Sequence, residues 1–132
     1  MNIAIDIDDT LTESFDYFLP YVAEYFDVDE ETLRKQNISY SNLPKEWKKD
    51  EIGFCRAYYD RIVPGTPFKQ DAAWGVKRLR ELGHRIVIIT ARTDALYTDP
   101  YQTTEQELAN GGICYDKLIC TFDKAKACVE EE

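Results

Sequence analysis

Three carboxylates stand close together near the start of the chain. Asp6, Asp8 and Asp9 fall within four positions at the end of the apolar run 2–6. Crowded anions cost free energy unless a cation or a proton compensates, and hard oxygen ligands favour Mg²⁺. One of these residues could instead cap a turn while the others are solvated. The position directly after a buried strand favours a metal or phosphoryl-transfer site, because open α/β sheets bind ligands there.

Three short apolar runs predict the strands that must position these groups. Residues 2–6 and 85–90 are nearly continuous runs of β-branched and apolar residues, and 117–120 is a weaker third run. Apolar residues at both the odd and the even positions indicate strands covered on both faces, as in a parallel sheet. Helical patterns alternate with the strands, so the order predicts an α/β fold with right-handed crossovers.

The segment between the first strand and the next core helix is long. Residues 13–64 exceed one crossover helix and predict a helical cap above the carboxyl end of the first strand. The α/β core then comprises residues 1–12 and 65–132. Twelve of the 17 aromatic residues lie between residues 11 and 70, and most are expected to form the core of this cap. The candidates for lining a pocket are Phe15, Phe18, Tyr21 and Trp47.

Helix boundaries follow from prolines and capping residues. Pro20 is expected to kink or restart the first helix. Thr66 and Pro67 predict the cap and first turn of a helix that Gly83 ends. Further starts are predicted at Asp29, Asp50 and Asp99, and a last helix over 124–132.

Composition excludes several classes of protein. The 16 Lys+Arg against 25 Asp+Glu give a net charge of −9, which argues against a nucleic-acid polymer or an anionic membrane as partner. No apolar run approaches a membrane span, and the first residues do not resemble a signal peptide, so a cytoplasmic location is expected. The four cysteines form no C-x-x-C pair and are predicted to be free thiols.

Three motifs in the sequence resemble those of a known protein family. Ile-Ala-Ile-Asp-Ile-Asp-Asp-Thr-Leu-Thr at 3–12 resembles the first motif of the haloacid dehalogenase-like (HAD) phosphohydrolases. Ile-Ile-Thr-Ala-Arg at 88–92 resembles their second motif, an apolar strand ending in Thr or Ser. The stretches 115–118 and 122–125 are similar to the region that carries the third-motif lysine. The chain is most similar to the 5′-nucleotidase-like branch, which inserts a helical cap after the first strand.

The resemblance implies a role for each matching residue. Asp6 would be the nucleophile that forms an aspartyl-phosphate and binds Mg²⁺. Asp8 would act as general acid and base, and its backbone carbonyl would bind the metal. Thr90 would hydrogen-bond the phosphoryl group, and Lys124 would neutralise charge on it.

Some assignments have alternatives. Lys117 or Lys126 could take the role given to Lys124. Arg92 and Thr10 are the predicted substrate contacts, although Arg92 could instead pair with an acid on its own loop. The acids in question are Asp94 and Asp99.

The chain departs from the family at the fourth motif, for which it has no counterpart after the last helix. The Mg²⁺ site would then lack its third protein ligand, for which Asp94 or Asp123 could substitute, although no spacing argument favours either. The first strand would become an exposed sheet edge, which predicts a homo-oligomer that pairs first strands across a two-fold axis. A shortened reading frame is an equal explanation of the ending.

These observations give a leading hypothesis and two alternatives. The leading one is a Mg²⁺-dependent phosphohydrolase acting on a small phosphorylated metabolite, such as a nucleotide. The first alternative is a catalytically impaired relative that binds a phosphate ligand or a protein. The second is a flavodoxin-like or receiver-type module, against which the long insertion after the first strand argues.

Overall fold

Three parallel strands form the sheet of this computed structural model, which describes residues 1–131. They are β1 (Asn2–Ile5), β2 (Arg85–Thr90) and β3 (Lys117–Cys120), in the order β1-β2-β3. Both pairs are parallel, with Ile5 opposite Ile88 and Thr90 opposite Cys120. The predicted α/β class and parallel sheet are confirmed, and each apolar run became a strand.

Seven α-helices accompany these strands within the described residues. Four of them lie between β1 and the core helix that precedes β2: α1 (Ser14–Tyr25), α2 (Glu30–Lys35), α3 (Lys45–Lys48) and α4 (Glu51–Ile62). The other three are α5 (Ala72–Glu81), α6 (Pro100–Asn110) and α7 (Lys124–Glu130). Short 3-10 turns occur at Tyr40–Asn42 and Val63–Gly65.

The central strand β2 is covered on both faces, as its unbroken apolar sequence predicts. Ile86 and Ile88 pack against Val76 of α5 and Leu108 of α6. The alternate residues of β2, Val87 and Ile89, pack against Ala127 of α7. Burial on both faces explains why this strand shows no polar alternation.

The helical segment 13–64 leaves and rejoins the core at one place. Thr12 and Phe68 form an isolated antiparallel bridge. The Glu13 N–H donates to the Pro67 carbonyl at 2.8 Å, and the Lys69 N–H donates to the Leu11 carbonyl at 2.8 Å. We call residues 11–13 and 67–69 the neck.

An aromatic cluster holds the helices of this segment together. Phe18 of α1 and Phe54 of α4 are each 1% exposed and share a cluster with Tyr59. Phe26 stacks on Trp47 with ring centroids 4.6 Å apart. Phe18 and Trp47 are therefore packing residues of the segment, which agrees with the expectation that most aromatics build its core.

Some predicted helix boundaries are wrong. α1 continues through Pro20, which is exposed, so the carbonyl that loses its partner can meet solvent. Thr66 and Pro67 do not start a helix, because Pro67 lies in the neck and α5 begins only at Ala72. The start predicted at Asp50 is confirmed, because α4 begins at Glu51, but the Asp50 carboxylate does not cap the helix and accepts from the Tyr25 hydroxyl at 2.7 Å.

Other boundaries are confirmed. Asp29 accepts from the Thr32 N–H at the start of α2, and Asp99 accepts from the Gln102 N–H at the start of α6. α5 ends before Gly83, whose φ of +92° suits glycine. The last helix begins at Lys124 as predicted, and the final position of its predicted range, 132, lies outside the described residues.

The four cysteines are free, as predicted. Burial raises the pKa of the Cys55 thiol, so this sulfur is held in its unreactive protonated form. Among residues 1–131, no helix combines the length and apolar character needed to cross a bilayer.

The strand β1 has one neighbour in the described sheet, so its other side is an edge. The Arg85 N–H donates to the Met1 carbonyl at 3.0 Å. Because backbone groups alternate in direction along a strand, those of Asn2 and Ala4 point away from β2. This is the unpaired row that the sequence predicts would recruit a second copy of the chain.

We expect Ala4→Pro to dissociate a dimer built on this edge, because proline lacks the outward N–H that the partner strand would bond. Sedimentation velocity would measure the effect, with unchanged circular dichroism as evidence of folding. Ala4→Val keeps the N–H and is the matched control. A monomeric wild-type protein, or a dimer that survives the proline, would contradict pairing through β1.

Candidate functional site

The carboxyl ends of the three strands carry the residues that the motifs single out. Asp6 directly follows β1, Thr90 is the last residue of β2, and Lys124 is the first residue of α7, just beyond β3. The Thr121 N–H donates to the Thr90 carbonyl at 2.8 Å, which ties the ends of β2 and β3 together. Parallel pairing therefore brings residues from distant parts of the chain to one edge of the sheet.

Lys124 contacts Asp6 across 118 residues of sequence. Its Nζ lies 2.8 Å from Asp6 Oδ1, and both side chains are about two-fifths exposed. The competing lysines lie elsewhere: Lys117 pairs with Glu131, and Lys126 pairs with Glu130. Of the three lysines considered from sequence, Lys124 is thus the one placed at the acidic cluster.

The turn after β1 fixes the backbone between the acids. The Ile7 carbonyl accepts from the N–H groups of Thr10 and Leu11 at 3.0 and 2.9 Å. Asp9 adopts a φ of +58°, and its N–H donates to Ser14 Oγ at 3.0 Å. The Asp9 carbonyl accepts from Lys69 Nζ at 2.8 Å. This left-handed residue is therefore held from two sides, and the predicted substrate contact Thr10 lies exposed beside it.

Arg92 joins this turn to α6 through a buried set of ion pairs. Its side chain is 3% exposed, and its Nη2 donates to Asp8 Oδ1 at 2.8 Å. Its Nη1 donates to Glu107 Oε1 at 2.8 Å and to Thr104 Oγ1 at 3.4 Å. Nη2 also donates to Glu107 Oε2 at 3.3 Å. The guanidinium thus spans two carboxylates, neither of which is Asp94 or Asp99, the partners considered from sequence.

Burial and the neighbouring charges shift the pKa values of Glu107 and Arg92 in opposite directions. Burial raises the pKa of the Glu107 carboxyl above its ordinary value, and Arg92 offsets part of that rise. For Arg92, burial opposes the charge, but Asp8, Tyr97 and Glu107 together outweigh it and raise the guanidinium pKa. Arg92 therefore stays charged at every physiological pH.

Sequence reasoning missed the residues that surround Arg92. Thr104, Glu107 and Leu108 are all buried, and the last two lie three and four positions after Thr104, on the same side of α6. A glutamate on the same helical stripe as a core leucine was the available signal. Tyr97 was missed as well: its ring centroid lies 5.9 Å from Arg92 Cζ, and its buried hydroxyl has no partner among residues 1–131.

Of the remaining candidates, two acids have other surroundings and one aromatic residue lies beside the acidic turn. Asp123 caps α7 by accepting from the Lys126 N–H at 3.0 Å, and Asp94 is exposed on the loop after β2. Of the candidate pocket aromatics, Phe15 lines a groove of about 520 Å³ beside Asp9. The same groove is lined by Arg34, which is paired with Asp16 at 2.8 Å.

The protein oxygens at the acidic turn would supply only part of the ligands of a magnesium ion. Within residues 1–131 no cluster of three or more Asp, Glu, His or Cys side chains is arranged to hold a metal ion. Asp6 offers a carboxylate oxygen, Oδ2, that has no hydrogen bond in the described part of the chain, whereas Asp8 Oδ1 is occupied by Arg92. Mg²⁺ commonly keeps several waters and binds through one or two carboxylates plus substrate phosphate. Asp6 fits that limited role, and the Asp8 carbonyl is the second ligand that the family resemblance implies.

Comparisons of this chain with protein-family models, with curated proteins and with solved structures found no match. The site is therefore interpreted from its own geometry. Lys124 contacts Asp6, Arg92 contacts Asp8, and Thr90 is buried at the end of the adjacent strand.

We expect Asp9→Gly to be more stable than Asp9→Ala by about 1 kcal/mol, because a left-handed φ strains alanine but not glycine. Chemical denaturation of both variants beside the wild-type protein would measure the difference in free energy of unfolding. The comparison is matched because both substitutions remove the same carboxylate. Equal stabilities, or a more stable alanine variant, would contradict the left-handed conformation at this position.

Proposed function

We propose that this protein is a HAD-type phosphohydrolase that transfers the phosphoryl group of a small phosphomonoester to Asp6 and then to water. The observation that carries the proposal is the 2.8 Å contact between Lys124 Nζ and Asp6 Oδ1. Thr90 stands at the end of the neighbouring strand. A carboxylate, a cation and a hydroxyl at one sheet edge are the groups that phosphoryl transfer requires.

In the proposed reaction, Asp6 and Asp8 divide the work. A carboxylate oxygen of Asp6 attacks phosphorus, the bond from phosphorus to the leaving oxygen breaks, and Asp8 gives that oxygen a proton. Water then attacks phosphorus, Asp8 takes a proton from the water, and Asp6 and inorganic phosphate are released. Each proton that Asp8 gives in the first step returns to it in the second.

Lys124 and Thr90 stabilise charge in this scheme. The Lys124 ammonium lies against the nucleophile and lowers the repulsion between the Asp6 carboxylate and an incoming phosphate anion. The Thr90 hydroxyl is buried at the end of β2 and would donate to a phosphoryl oxygen. Both groups act without changing their protonation state.

The charge balance of the site supports a need for a further cation. When Asp8 holds the proton that it gives in the first step, the carboxylates of Asp6 and Glu107 are balanced by Lys124 and Arg92. A phosphomonoester adds further negative charge to this cluster. Magnesium, when bound, would supply the missing positive charge, and we propose that Asp6 and the Asp8 carbonyl hold it together with water and the substrate.

The proposal predicts that Asp6→Asn abolishes phosphate release and that Lys124→Met lowers it by about 10²–10³-fold, the loss typical of a charge-stabilising donor. Phosphate release would be measured on an aryl phosphate and on nucleoside monophosphates, with Mg²⁺ and with chelator. Lys126→Met is the matched control, because Lys126 belongs to the same helix and its ammonium pairs with Glu130 at 3.9 Å instead of with Asp6.

The outcomes separate the two candidate functions. Chelator-sensitive turnover that is lost in Asp6→Asn and retained in Lys126→Met would support the hydrolase. Equal rates in the wild-type protein and Asp6→Asn would contradict catalysis by this chain. Calorimetric binding of inorganic phosphate that Lys124→Met abolishes would then favour the alternative, a phosphate-binding module.

A further inference from the structure

The two terminal nitrogens of Arg92 are fully occupied within the protein, whereas its buried Nε has no partner among residues 1–131. Its two terminal nitrogens carry four N–H bonds, and they meet four acceptors: two oxygens of Glu107, one of Asp8 and the Thr104 hydroxyl. The side chain is 3% exposed. A substrate phosphate could reach these donors only by breaking an ion pair that is already shielded from water. Direct substrate binding by Arg92 is thus disfavoured.

Glu107 holds Arg92 in place. The Glu107 side chain is completely buried, and its two oxygens face the two terminal nitrogens of Arg92. Such a fork-to-fork pair fixes the plane of the guanidinium as well as its position. A buried carboxylate is costly unless it is paired, so Glu107 can only be accommodated with Arg92 in this orientation.

The outward side of the fixed guanidinium engages Asp8. Arg92 Nη2 donates to Asp8 Oδ1, while the Asp8 side chain remains 32% exposed. One carboxylate oxygen of Asp8 is therefore anchored toward the interior. The other oxygen, Oδ2, has no hydrogen bond in the described part of the chain and is the one that the proposed reaction would use to give a proton.

We propose that Glu107 and Arg92 are positioning residues that hold the Asp8 carboxylate in the orientation needed to give a proton to the leaving group. This inference rests on the proposed phosphohydrolase function. It assigns Arg92 to the geometry of Asp8 instead of to the substrate, and it gives the buried Glu107 of α6 a role in the reaction.

The dependence of the rate on the leaving group tests this assignment. An aryl phosphate expels a weakly basic phenolate that needs little protonation, whereas an alkyl phosphate such as glycerol phosphate expels a strongly basic alkoxide. A misplaced Asp8 should therefore slow the alkyl ester more than the aryl ester. Loss of a direct substrate contact would affect both esters alike.

We expect Arg92→Met to lower kcat for glycerol phosphate at least about tenfold more than kcat for p-nitrophenyl phosphate. KM for both esters and inhibition by inorganic phosphate should stay unchanged. Glu107→Gln, which keeps the volume and one acceptor oxygen, should shift the ratio in the same direction by less. It also keeps the test decisive if Arg92→Met does not fold, as judged by circular dichroism.

Arg56→Met is the matched control. Arg56 Nε donates to the Ala95 carbonyl at 2.8 Å, so this variant removes an arginine contact to the same loop without touching Asp8. It should leave the ratio of the two rates unchanged. A shift of equal size in Arg56→Met would show a general effect of the loop and would overturn the positioning role.

The remaining outcomes distinguish this inference from the function on which it rests. Equal losses on both esters, or a raised KM with weaker phosphate inhibition, would overturn positioning while the Asp6-dependent activity stands. A wild-type protein whose phosphate release equals that of Asp6→Asn would overturn the phosphohydrolase, and the positioning role with it.

Discussion

A guanidinium that water cannot reach must be neutralised by the protein, and the chain meets this requirement at Arg92 with acids from two different elements. Asp8 comes from the turn after β1, and Glu107 comes from α6. The pairing therefore fixes the distance between the acidic turn and the helix that covers the sheet. Asp6, the proposed nucleophile, lies two residues before Asp8 and contacts Lys124, so both ion-paired acids belong to the same short stretch of chain.

The architecture of the core could be predicted from sequence because its strands are short, apolar and separated by helical patterns. β2 is the clearest case, since the run 85–90 has apolar residues at odd and even positions and the strand is buried on both faces. The starts of the helices were harder to predict from the sequence. Thr66 and Pro67 carry a strong local capping signal, but the bridge between Thr12 and Phe68 holds this stretch extended, so tertiary pairing overrides the local preference.

The candidate site also contains contacts that could be predicted from the sequence and contacts that could not. The approach of Lys124 to Asp6 follows from the parallel order of the strands, which brings their carboxyl ends to one edge. The contact between Arg92 and Glu107 does not follow from any local pattern, because a glutamate within a helix is usually solvated. Only the packing of α6 against the core shows that position 107 is buried.

The neck has a mechanical consequence. The helices of residues 13–64 join the core through two adjacent backbone crossings, and Lys69, on one of these crossings, also bonds the carbonyl of Asp9. On the far side, Asp60 accepts from the Thr98 hydroxyl and from its N–H. Arg56 also donates to the Ala95 carbonyl and Tyr59 packs against Tyr97, so several contacts besides the neck hold the segment to the loop after β2. Lys69 bonds both Leu11 in the neck and Asp9 in the acidic turn, so the entry of the helical segment and the backbone of the turn share one residue.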